Sequence, residues 1–127
     1  MADGVDHICY LEGSNLYTHQ VIFFRERINP TPGQIDDDFA VIRELAANEP
    51  FFILVDLSST NPPSIQARKT LKRNFNSFDN QLINVFVFSG KNKFINMAAK
   101  FVLSSAGLKN FRLFTTKEQA INSIPRK

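Results

Sequence analysis

Apolar and polar positions along the chain switch between short continuous runs and helical spacing. The most informative run is Phe51 to Ser59, Phe-Phe-Ile-Leu-Val-Asp-Leu-Ser-Ser, bounded by Glu49-Pro50 before it and Asn61-Pro62-Pro63 after it. A short, bounded, apolar run suits a strand buried on both faces, whereas a helix needs more length and does not sit between prolines. This stretch reads as a central parallel strand with Asp56 to Asn61 at its carboxyl end. That edge is where open α/β sheets usually bind ligands.

The rest of the chain arranges itself around that strand. His7 to Leu11 and Leu16 to Arg25 have strand composition, and Glu12-Gly13-Ser14-Asn15 between them is a hairpin signal. In the second run Tyr17, His19, Val21 and Phe23 share one side. Asn29-Pro30-Thr31-Pro32-Gly33 reads as a loop. Gln34 to Asn48 reads as a helix with Ile35, Phe39, Ile42, Leu45 and Ala46 at helical spacing. Asp36, Asp37 and Asp38 are expected in its first turn, where the helix dipole favours carboxylates. Ser64 is positioned to cap a second helix that buries Ala67, Leu71, Phe75 and Phe78 and shows Arg68, Lys69, Lys72 and Arg73 on the other arc.

Leu82 to Ser89 is a third core strand, followed by the loop Gly90-Lys91-Asn92-Lys93. From Lys93 to about Ser105 a helix carries Phe94, Met97, Ala98, Phe101 and Val102, with Ile95 and Leu103 extending the apolar arc. An arc that wide implies deep burial or a second contact surface. Gly107 suits the residue just past the helix end. Phe111 to Phe114 is a last strand, and Thr115 with Glu118 or Thr116 with Gln119 can form a capping box before a helix bearing Ala120, Ile121 and Ile124. The order is β-β-α-β-α-β-α-β-α, which predicts one α/β domain over residues 1–127, with a mostly parallel five-stranded sheet and an antiparallel edge strand.

Composition changes the picture in three places. The 127 residues include 13 phenylalanines and no tryptophan, so the core is expected to be Phe-rich. A single cysteine, Cys9, excludes an intramolecular disulfide and fits a reducing compartment. The acidic start Met1 to Asp6 lacks a secretory apolar segment, and no run is long enough to span a membrane, so the cytoplasm is the expected location. Net charge is +3 but divides unevenly: residues 1–63 carry −7 and residues 64–127 carry +10. Such a dipole favours an acidic protein partner or self-association, including a homodimer.

Three segments together resemble the STAS superfamily, the anti-sigma-factor antagonists and their SpoIIAA-like relatives, which are small bacterial domains sometimes grouped with lipid-binding ones. They are Ile53-Leu54-Val55-Asp56-Leu57-Ser58, the helix begun at Ser64 with Ala67-Arg68 in its first turn, and Phe111 to Ala120. The resemblance implies a βα superhelix with strands in sequential order and helices mainly on one side. It also implies a regulatory, protein-binding or ligand-binding domain rather than an enzyme. Members of the family are switched by phosphorylation of a serine in Asp-Ser-Ser-Gly. Here that place reads Pro62-Pro63-Ser64-Ile65-Gln66-Ala67, with Ser64 the nearest hydroxyl.

Candidate chemistry gathers at the carboxyl end of the central strand. Asp56, Ser58, Ser59 and Ser64 are expected beside Ser89 to Lys93, where two helix starts with Lys91 and Lys93 could hold a phosphate or carboxylate. The simpler reading is that Ser64 caps its helix and Asp56 ties down loop N–H groups. Cys9 reads as a buried small hydrophobe, because a tight hairpin pairs it with Thr18 and puts His19 on the other face. Two histidines and one cysteine give no zinc spacing, Asp36-Asp37-Asp38 lacks calcium-loop spacing, and no nucleophile–base pair emerges. The basic arc with Arg68 lacks the interleaved aromatics of nucleic-acid binders. The reading is a non-enzymatic regulatory or interaction module without cofactor or metal. Its expected contact surface runs from Asp56, Ser58 and Ser59 over Ser64 and Arg68 to Lys91 and Lys93. The alternative is a carrier or sensor of a small apolar or anionic ligand.

Overall fold

The computed structural model describes residues 7–108 and 110–127, so the acidic start Met1 to Asp6 and Lys109 lie outside the described residues. The elements are β1 (Ile8–Tyr10), β2 (Gln20–Arg25), α1 (Pro32–Ala46), β3 (Phe51–Asp56), α2 (Ile65–Asn76), β4 (Leu82–Phe88), α3 (Lys93–Ser105), β5 (Phe111–Phe114) and α4 (Lys117–Ser123). A short 3-10 turn at Ser14–Leu16 lies between β1 and β2. The strands are ordered β1-β2-β3-β4-β5, with β1 antiparallel to β2 and every other pair parallel. β3 is thus the central strand, and all of its residues are buried.

Alternation along the strands divides the interior in two. Ile22, Phe24, Phe51, Ile53, Val55, Val85 and Val87 face α1, α2 and α3. Val21, Phe23, Phe52, Leu54, Phe86 and Phe88 face α4 and Tyr17. Parallel strands in sequential order need crossovers of one hand, which puts the three crossover helices on the same side. On that side Phe24, Phe39, Phe75, Phe78 and Phe51 make a chain of mostly edge-on rings with centroids 5.0 to 5.9 Å apart. Each buried Phe contributes roughly 1.5–3 kcal/mol, and edge-on pairing adds to that. The opposite side is closed by α4 and by the tail, where Thr18 N–H donates to Pro125 O at 3.1 Å and Lys127 N–H to Leu16 O at 3.0 Å.

Local chemistry sets the boundaries, and some differ from those expected. Helix α1 starts two residues earlier than Gln34. Thr31 accepts from Gln34 N–H and Gln34 Oε1 accepts from Thr31 N–H, with Pro32 first in the helix. Asp36, Asp37 and Asp38 therefore lie beyond the first turn, and the dipole explanation for them fails. The helix stops at Ala46 because Ala47 turns left-handed at φ 52°. The β1–β2 link is no tight hairpin. The intervening 3-10 turn shifts the register so that Cys9 pairs with Phe23, not Thr18, and Ile8 with Phe24. Cys9 is exposed rather than buried, since β1 is the sheet's edge and its outer side is uncovered there. Helix α3 and strand β5 have the expected limits, and Gly107 follows α3 at φ +81°, a conformation that costs glycine least. Of the two possible boxes before α4, Thr116 with Gln119 is the one formed.

Candidate functional site

The sheet separates the residues expected to form one surface. Asp56 ends β3 on the α4 side, in line with Phe52 and Leu54. Its Oδ1 accepts from Ser58 N–H at 2.8 Å and from Ser58 Oγ at 2.6 Å, and its Oδ2 lies 3.3 Å from Arg25 Nε. Asp56 therefore ties down the loop after the central strand. Ser59 is exposed beside it. Ser64 lies at the start of α2, on the other side of the sheet, where its Oγ accepts from Ala67 N–H at 3.1 Å. Lys91 and Lys93 are exposed at the start of α3.

The anion-binding arrangement loses its donors. At α3, Asn92 Oδ1 accepts from Phe94 N–H at 3.1 Å and Ile95 N–H at 3.2 Å, while Ser64 takes the corresponding donor at α2. Among the described residues, no cluster of three His, Cys, Asp or Glu could hold a metal ion, and no helix is long and apolar enough to cross a membrane.

Two features take the place of the expected surface. The first is the outer side of α3. Phe94, Met97 and Phe101 are 76%, 69% and 55% exposed, at positions i, i+3 and i+7 of one helix. They are large apolar side chains, and Phe94 and Phe101 are the exposed phenylalanines of the chain. Arg68 Cζ and Lys72 Nζ from α2 each lie 6.0 Å from the Phe101 ring centre. Part of the basic arc thus covers an aromatic ring instead of standing free in water. Ile65, 59% exposed, begins the neighbouring helix. The wide apolar arc read from the sequence therefore splits. Ile95, Val102 and Leu103 are buried, and Phe94, Met97 and Phe101 form an open surface.

The second feature is a cavity of about 60 Å³ between the carboxyl end of the sheet and α2–α3. Its walls include Phe75, Val87, Ala99, Val102 and Leu103, together with Glu26. Sequence reasoning missed Glu26, although the signal was present: it continues the inward alternation of Ile22 and Phe24. Burial pushes its pKa up to about 7, opposed by the Arg27 N–H it accepts and reinforced by nearby Asp38. Asp38, also buried, is gripped by Arg27 and sits 3.1 Å from His7 Nε2, which ties the residue before β1 to α1. Asp36 accepts from Asn74 and Arg73, both at 2.9 Å, and these contacts hold its carboxyl below the usual range.

Compared with known proteins, the chain matches no protein-family model and no curated protein.

Proposed function

We propose that this chain is a non-enzymatic interaction module of STAS or SpoIIAA-like type, and that the α2–α3 face binds an acidic amphipathic helix of a protein partner. The observation that carries this reading is the exposed stripe Phe94, Met97 and Phe101. Spacing of i, i+3 and i+7 is that of a helix–helix seam, the pattern by which one helix receives another. Charge sets the sign of the partner. Arg68 and Lys72 on α2 lie over Phe101, Lys93 and Lys100 belong to α3 itself, and no acidic residue occurs from residue 80 to residue 117. The strand order and the three helices on one side agree with what the resemblance implies for the fold. Ser64 is spent as a helix cap in a segment without Asp-Ser-Ser-Gly, so the partner is read without a phosphorylation switch. A lone, exposed Cys9 fits a reducing, cytoplasmic setting.

The test is a photo-crosslinking amino acid at Met97, activated in source cells, with adducts sequenced by mass spectrometry. A protein adduct mapping to an acidic helix, weakened by salt and lost in a folded Phe94→Ser/Phe101→Ser variant, is the expected result. Adducts to lipid alone, to a second copy of the chain alone, or to nothing would overturn the reading.

A further inference from the structure

Glu26 follows β2 directly, and its side chain enters the layer between the sheet and the helices. It is only 7% exposed. Its Oε1 accepts from Arg27 N–H at 2.8 Å; the second oxygen accepts from no group among the described residues and keeps contact with solvent, since none of their buried side-chain oxygens lacks a partner. The other polar side chains on the cavity wall turn donors to partners away from Glu26. Thr60 Oγ1 donates to the Arg27 carbonyl, and the Asn61 amide donates to Asn29 Oδ1 at 2.9 Å. No residue that α2 or α3 contributes to the wall is charged. A carboxyl on an otherwise apolar wall is costly to place, and a fold with no use for it would put hydrocarbon there. A carboxyl oxygen left over in an apolar hollow is what a ligand donor would complete.

We propose that this cavity binds a short aliphatic molecule carrying one hydrogen-bond donor and no negative charge, held by the Glu26 carboxyl. The hollow of about 60 Å³ holds the equivalent of two waters at ~30 Å³ each and opens to solvent, so a chain of about two or three carbons fits with part of its length inside and the rest in the opening. An anion is disfavoured by like charge, since the ionised Glu26 carboxylate repels it and the nearest cation, Arg27, is taken up by Asp38. Two head groups share the required chemistry. An alcohol can donate to the ionised carboxylate and can exchange donor and acceptor roles with the protonated acid. A protonated amine needs the carboxylate. Arg27 and Asp38 are the charged neighbours of Glu26, with His7 beyond Asp38. This site lies beneath α2 and α3, apart from the outer stripe, so it goes beyond the partner-binding reading and does not depend on it.

Methyl-detected NMR titration of the full chain with matched 1-propanol, propylammonium and propionate tests it. The expected result is saturable shifts at Val87, Val102 and Leu103 with propanol or propylammonium and none with propionate. Propylammonium, if it is the better head group, binds about tenfold more tightly near pH 8 than near pH 6, as the carboxyl ionises, while propanol changes little. Glu26→Met, which removes the acceptor at similar volume, is expected to weaken binding about tenfold or more. Ala99→Leu, which fills the hollow from α3 and leaves Glu26 in place, is expected to abolish it should Glu26→Met fail to fold. Phe94→Ser/Phe101→Ser is expected to bind as the unaltered chain does. Equal binding of propionate, shifts scattered over the surface, or binding that survives Ala99→Leu would overturn the proposal, as would the absence of saturable shifts with both propanol and propylammonium.

Discussion

Arg27 holds Asp38 with two nearly parallel contacts, Nε to Oδ2 at 3.0 Å and Nη2 to Oδ1 at 2.9 Å, and so fastens the segment after β2 to the middle of α1. The Asp38 side chain is 3% exposed while that of Arg27 is 31% exposed, so the carboxylate depends on its partner more than the guanidinium does. Arg27→Ala strands a buried negative charge and is expected to cost about 3 kcal/mol, at the low end of what breaking a buried pair costs because the arginine is partly solvated. Urea unfolding checks it. A loss below about 1 kcal/mol would mean that water replaces the arginine at little cost.

Glu26 makes stability fall as pH rises. Its folded pKa is raised from 4.5 to about 7, so between those values the folded chain binds more protons than the unfolded chain. Stability is then lost on going from about pH 4.5 to about pH 7 and levels off above, by about 3 kcal/mol for this group. Glu26→Gln removes the titration. The variant is expected to gain on the wild type between about pH 4 and about pH 8 in denaturant melts, two values that bracket the window. Parallel pH profiles for the two proteins would show that the carboxyl is not buried in solution. Asp36 acts in the opposite direction at acid pH: its carboxyl is held below 3.8, so what it contributes is lost as pH falls through its folded pKa.

Asp56→Ala removes the acceptor for Ser58 N–H and Ser58 Oγ, together with the Arg25 contact. The expected cost is roughly 1–3 kcal/mol, and Asp56→Asn should recover part of it, since an amide oxygen can still accept from Ser58 N–H. Equal stability of Asp56→Ala and wild type in urea would place the carboxylate in water.

Ser64→Ala removes the α2 cap and is expected to cost about 1 kcal/mol, whereas Ser64→Asp, an equally good cap, should be close to neutral. Thermal melts of the two variants decide the matter. A large loss with Asp would mean that negative charge at this position is itself disruptive.

Phe94→Ser and Phe101→Ser remove exposed rings, so each is expected to change stability within about 0.5 kcal/mol while raising solubility. Phe101 carries the stricter test, because Arg68 and Lys72 lean on it. A loss above about 1 kcal/mol there would make the ring a structural clasp instead of a docking surface.

The elements themselves were legible because their signals are local and chemically distinct. The run Phe51 to Asp56 lies between prolines, Gly107 takes a left-handed turn after α3, and Thr116 with Gln119 opens α4. Thr31-Pro32-Gly33-Gln34 carried an equally local signal, a capping box with proline in the first turn, but its Pro and Gly content read as loop. The register of β1 was not legible, since the residues between it and β2 form a 3-10 turn whose length no strand pattern encodes. The candidate site was the least legible part. Asp56, Ser58, Ser59, Ser64, Arg68, Lys91 and Lys93 all lie at or beyond the carboxyl ends of two neighbouring strands and so were expected together, but alternation along β3 sends Asp56 to the α4 side while α2 and α3 lie on the other. Which arc of α3 faces outward depends on where α2 stops covering it, and that is a fact of packing between helices.

The tail that joins Pro125 and Lys127 to Leu16 and Thr18 has a consequence for biosynthesis. During translation the α1–α3 side can assemble strand by strand as each crossover emerges. Phe23, Phe52 and Phe86 on the reverse side lack the cover of α4 and of residues 124–127 until those have cleared the ribosome. For that interval the nascent protein shows a greasy flank to the cell, which is when a chaperone would be most needed.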